Sequence, residues 1–370
     1  MAGTITKRES SWELLRILAM LAIIFGHFVG QSGFLIWGQP LQTNAARILC
    51  HGGRIAVNIF FIMAAWFMVD ARITGKRILS FYLQVWTYTA LITGYIALRG
   101  YPVGLKAAVA SVAPFITKAV WFASAYLILL FLAPFLNSIL DWKRERQRRL
   151  LIVLFAFQCI IPTLLFFMPM DDNWGAILGW VCFIYLLIGH YKKFHSNDYP
   201  LNKWLALGLA IGFYALSTGA KLYLSQSLEQ SALSPFVHDI LALISKFCGR
   251  CLDDYKTLPN LVIALLVFYF FRHLNIGNNR IINFIATGAF ASYIVHQTPA
   301  AIPIIWRFGF QCNQWIKGDN ALLYALLVPL AVLFVSIILE WLRKQTIERL
   351  YINSSPFKYL AAKIDRLLGD

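Results

Sequence analysis

Acidic residues are scarce in this chain. Its 370 residues include 17 Asp and Glu against 33 Lys and Arg, and the four types together make up only 14%. A soluble domain carries about a quarter charged residues, so a water-soluble globule is excluded. Cysteine is equally sparse: the six present lie mostly inside apolar runs, where they act as small hydrophobes. Only "CGRC" places two together, Cys248 and Cys251. Without a second such pair or suitably spaced histidines it argues against a zinc site, and no metal is expected; whether the two thiols pair is open at this spacing. Alternating segments of about ten residues, which would mark a membrane β-barrel, are missing. So are internal repeats, low-complexity stretches and any separate soluble domain. The first apolar segment follows "MAGTITKRESS" without a small-residue cleavage site, and is expected to be a span rather than a signal peptide.

Hydrophobicity fills the rest. Apolar residues reach 59% and the mean hydropathy is +0.64. Windows of about 17 to 22 apolar residues recur along the length, each able to cross a bilayer as a helix. The expected fold is therefore all-α, a polytopic integral membrane protein of about ten spans. They fall near 12–30, 53–69, 79–98, 119–139, 150–168, 176–190, 204–224, 258–272, 282–303 and 321–342. With the N-terminus inside, the inner segments hold 21 of the 33 Lys and Arg and the outer segments 11. That bias predicts an N-in, C-in orientation in a cell membrane, bacterial cytoplasmic by expectation. Residues 1–342 form the membrane domain, and residues 343–370 a basic amphipathic tail on the inner leaflet. The net charge of +16 then reflects loops facing anionic lipid, not a nucleic-acid partner.

Arg16 is the one cation left inside a span, and His27 lies in the same run, "RILAMLAIIFGHF". Eleven steps of about 100° make three turns plus about 20°, which puts both on one face, roughly 16 Å apart along the axis. Ionisable groups in hydrocarbon are costly unless they face protein or a water-filled cavity. A shared face suggests a lined passage from the inner surface towards the outer. Simpler readings exist for each alone: Arg16 can snorkel or pair with Glu13 one turn back, and His27 can be a packed histidine bonded to another helix.

The surrounding residues carry a family resemblance. "ESSWELLRILAMLAIIFGHF" resembles the first span of the membrane acyltransferase-3 family, which O-acylates cell-surface carbohydrates, with Glu13, Arg16 and His27 at its acidic, arginine and histidine positions. "GGRIAVNIFFIMAAWFM" is similar to its second span through Asn58, Phe60 and Phe61, although Ala64 and Ala65 replace the usual Ser-Gly. "VWFASAYLILLFLAPFLN" resembles a further span through Trp121, Phe122, Tyr126 and Pro134, and "INFIATGAFASYIVHQ" one ending in Tyr293 and His296. The basic loop after span two is only partly present, as Arg72, Lys76 and Arg77.

The resemblance implies an O-acyltransferase that moves an acyl group, acetyl in the first instance, from cytoplasmic acyl-CoA to a hydroxyl of an extracytoplasmic or lipid-linked glycan. The acyl-CoA is a co-substrate and no bound cofactor is expected. An alcohol needs a base at neutral pH, and His27 is the candidate, either as base or as transient acyl carrier. Glu13 lies too far along the helix to orient its ring, so any partner must come from another span. Arg16 and the Arg72, Lys76 and Arg77 loop would hold the CoA phosphates, Lys76 as a point charge rather than a fork. Trp121, Tyr126, Tyr293 and His296 would line the substrate passage. The alternative is a transporter or flippase of lipid-linked sugar, but no paired, interrupted spans in matching halves support it. A glycan polymerase would favour a larger outer loop, and a catalytically dead scaffold would tolerate the missing serine. Oligomeric state and acceptor sugar are open.

Overall fold

Ser10 fixes the start of the bundle. In the computed structural model, which describes residues 9–37, 40–117, 120–165, 173–228 and 234–369, helix α1 runs Ser10–Gln31. Its first amide donates to the Gly277 carbonyl at 2.8 Å, and the Ser10 hydroxyl donates to Asn283 at 2.9 Å. The first of these satisfies a first-turn amide that a helix cannot pair internally. Lys7, Arg8, residue 119 and the end of the expected fifth span lie outside the described residues.

Helices α2 (Pro40–Cys50) and α3 (Gly52–Met68) form one nearly continuous span, and α3 packs along α1. Helix α4 (Gly75–Leu98) starts where the Thr74 side chain accepts from the Arg77 amide, an N-cap. Helix α5 (Leu105–Val112) leans on α4: the Thr89 hydroxyl donates to the Ser111 carbonyl at 2.9 Å, and the Thr93 and Ser111 hydroxyls are 2.5 Å apart. Next come α6 (Trp121–Leu140), α7 (Arg144–Phe155), α8 (Trp174–His195, capped by Asn173) and α9 (Lys203–Leu228). The amphipathic α10 (Pro235–Asp253) leads into α11 (Leu258–Arg272). Cys248 and Cys251 are both free thiols.

Eight helical stretches among the described residues are long and apolar enough to cross a membrane. Two of the expected spans are not among them. The third coincides with α4, which has the length but carries the polar Gln84, Thr89 and Thr93, bonded to Glu340 and Ser111 of neighbouring segments. The ninth is broken into α12 (Arg280–Ala286), α13 (Ala289–Gln297) and a short turn at Ala301–Pro303. Gly288 stands at the first break because α14 (Ala321–Gln345) crosses it closely: a Cβ there would sit 2.7 Å from the Ile337 Cα. The chain ends in α15 (Ile347–Ile352) and α16 (Ser355–Leu367), the latter packed against α4.

Asn58 is fully buried in α3 and ties three segments together. Its amide donates to the Tyr255 carbonyl at 2.7 Å, and its carbonyl accepts from the Trp180 indole at 2.9 Å. Asn58→Leu orphans both partners at about 1–3 kcal/mol each. The variant should melt several degrees lower in lipid nanodiscs, and a melting curve matching the wild type would remove this structural role.

Candidate active site

His27 meets another histidine. Its Nδ1 lies 2.8 Å from the Nε2 of His296 on α13, 269 residues away in sequence. The Nδ1 of His296 bonds the backbone carbonyl of Ser292, one turn earlier on the same helix. A carbonyl oxygen only accepts, so His296 Nδ1 must be the donor. In the neutral ring its Nε2 then carries a lone pair, which accepts from His27 Nδ1–H. The Nε2 of His27 is left unprotonated. A carbonyl–histidine–histidine chain thus fixes the tautomer of His27 in the way a carboxylate orients a catalytic imidazole. His296 is fully buried, whereas His27 keeps part of its surface open.

Below this pair, towards the start of α1, lies a cavity of about 550 Å³. Its wall combines charged residues, Arg16, Arg77, Arg343, Lys344, Glu340 and Glu348, with apolar ones that include Phe60, Met63, Ala64, Phe122, Leu130 and Phe290. Most of the charges are matched. Arg16 bonds Glu13 at 2.6 Å, while Arg343 bonds Glu340 at 2.8 Å and Glu348 at 2.7 Å. Glu340 also accepts from Tyr88 at 2.9 Å and Gln84 at 3.1 Å. Arg77 differs: its guanidinium donates to the neutral Tyr126 hydroxyl at 3.2 Å, and no carboxylate pairs with it among the described residues. The cavity therefore presents an unmatched, forked cation to any anion that enters.

The cavity brings together Arg16, Arg77 and Tyr126. It does not include His27 or His296 in its wall. The Phe122 ring lies 5.7 Å from that of Tyr293, whose hydroxyl accepts from the Phe122 amide at 3.3 Å. Tyr293 is almost fully buried, one turn beyond Phe290 and one turn before His296. The shared face of α1 is thus not lined by one continuous cavity: the cavity reaches Arg16, and Phe122 in its wall touches Tyr293, which in turn packs against His296. Arg72 and Lys76 are exposed and away from the cavity. Trp121 stacks on Tyr255 at 5.5 Å instead of lining it.

Sequence reasoning missed Glu340, Arg343, Lys344 and Glu348. The first was legible in kind: an acidic residue in an apolar span is the same signal that exposed Arg16. Arg343 and Lys344 open the basic tail, where a run of cations carries no sign of a cavity.

A family model described as an acyltransferase domain, that of acyltransferase-3, matches residues 9–341. The chain belongs to the acyltransferase-3 family. No curated protein and no solved structure matches it. This acyltransferase is a multi-pass membrane protein, and membership carries with it acyl-CoA as the general class of donor. The matched region contains both histidines, Arg16 and Arg77, and stops just short of Arg343.

Proposed function

We propose that this acyltransferase transfers an acyl group, acetyl in the first instance, from cytoplasmic acyl-CoA to a hydroxyl of an extracytoplasmic or lipid-linked glycan. In this reading the chain crosses about ten times with both termini inside, and the charged residues of the cavity face the inner surface. The observation that carries the reading is the hydrogen-bonded chain from Ser292 through His296 to His27, because it leaves a base with its lone pair free.

The donor phosphates dock against Arg77, with Arg16 beside it, and the pantetheine arm extends along the apolar wall. The rings of Phe60, Phe122 and Phe290 must turn aside for the thioester to reach His27, so hydrolysis is suppressed until the arm is seated. An acceptor hydroxyl approaching from the outer side gives its proton to His27 Nε2 as its oxygen attacks the thioester carbonyl. The carbon–sulfur bond breaks, the thiolate takes the proton from His27, and free CoA leaves. Ala64, in place of the usual serine, offers no hydroxyl to this sequence of steps.

Acetyl-labelled acetyl-CoA tests the reading. Inside-out vesicles carrying the protein and its glycan should acquire base-labile label on the glycan, and sealed right-side-out vesicles should not. Absence of label with every acyl donor, together with movement of lipid-linked glycan across the membrane, would replace the acyltransfer reading with a flippase.

A further inference from the structure

The segment beyond the family match folds back onto the helix that carries Arg77. Helix α16 opens with Ser354 capping the Phe357 amide and buries Phe357 and Ala361. Its Asp365 carboxylate accepts from the Gly75 amide at 2.6 Å. That amide belongs to the first turn of α4, where a helix has unpaired donors and a negative charge is favoured. Contact is so close that a Cβ on Gly75 would overlap the carbonyl oxygen of Ala361 and come within 3.0 Å of the Ile364 Cβ. Gly75 is two residues from Arg77, and both lie in the same first turn of α4. Arg343, Lys344 and Glu348, on the connection to this tail, line the same cavity. All of these tail residues follow residue 341, where the family match ends.

We infer that the C-terminal helix is part of the donor site of this protein: through Asp365 and the close seat of Ala361 on Gly75 it clasps the start of α4 and holds Arg77 at the mouth of the cavity. The inference rests on the reading of Arg77 as a phosphate ligand. Asp365 is a positioning residue and touches no substrate. Its effect reaches the donor through one guanidinium, so it concerns phosphate-bearing donors alone.

The test uses the full-length protein in nanodiscs and two donors, acetyl-CoA and acetyl-pantetheine, which lacks the phosphates. Asp365→Asn and Gly75→Ala should each raise the KM for acetyl-CoA about tenfold, since small misplacements of a binding group are costly, while kcat and the KM for acetyl-pantetheine stay within about twofold. Equal shifts with both donors, or no shift in either variant, overturn the clasp. A measurement on the unaltered protein decides the matter if the variants do not assemble. Linkage requires that a donor held by the clasped state stabilise the clasp. Saturating CoA should therefore slow amide exchange in both 75–80 and 357–367, and slowing confined to 75–80, or none, overturns it. Arg77→Ala separates the two levels. If it leaves the acetyl-CoA KM unchanged, the donor reading itself fails; if it raises that KM while Asp365→Asn and Gly75→Ala do not, only the clasp fails.

Discussion

His27→Ala should lower kcat for acyl transfer to glycan by about 10²–10⁴-fold, the usual contribution of a positioned general base, with the donor KM unchanged. On the proposed reading the donor phosphates meet Arg77 in the cavity, whose wall does not include His27, so removing the imidazole should leave them intact. His296→Gln should cost less, about 10–100-fold by analogy with lost partners that orient an imidazole. It keeps a polar group near His27 Nδ1 but no longer relays the constraint from the Ser292 carbonyl. The double variant should be no worse than His27→Ala, because residues acting as one unit are not additive. Stopped assays with labelled donor measure all three. If His27→Ala retains wild-type turnover in a protein with a normal melting curve, the imidazole is not the base. Label retained on the protein without acceptor, and lost in the same variant, would favour transient acylation of His27 over direct transfer.

The legible part of this arrangement was whatever depends on one helix. The 3.6-residue period puts Arg16 and His27 on a common face, and the structure uses that face for both, one at the cavity and one at the histidine pair. Which helix answers His27 is another matter. His296 lies 269 residues away, and local patterns do not encode which spans become neighbours. Breaks in a span are equally invisible to a window of about twenty residues: the interruption at Gly288 is set by the close approach of Ile337 from α14. The basic loop shows the same limit on a finer scale. Lys76 and Arg77 are adjacent, so they project about 100° apart, and only Arg77 faces the cavity. Arg72 precedes the helix altogether.

Arg77→Ala should raise the KM for acyl-CoA by about 10–150-fold, the equivalent of losing a charge-assisted hydrogen bond worth about 1.5–3 kcal/mol. Its importance follows from the arithmetic of the cavity. Arg16 is already answered by Glu13, and Arg343 by Glu340 and Glu348. An incoming phosphate gains little from a cation that has its own carboxylate, and gains most from one bonded only to a phenol. Arg16→Ala should accordingly raise the same KM by a smaller factor. Arg77→Lys should fall between wild type and alanine, because an ammonium keeps the charge but cannot fork to two phosphate oxygens. In the wild type the KM should also rise with salt, since the cavity mouth is open to solvent ions, and in Arg77→Ala that dependence should flatten. Equal KM values for Arg16→Ala and Arg77→Ala would mean that the Glu13 pair opens on binding, and that the charge balance seen without donor does not rank the two arginines.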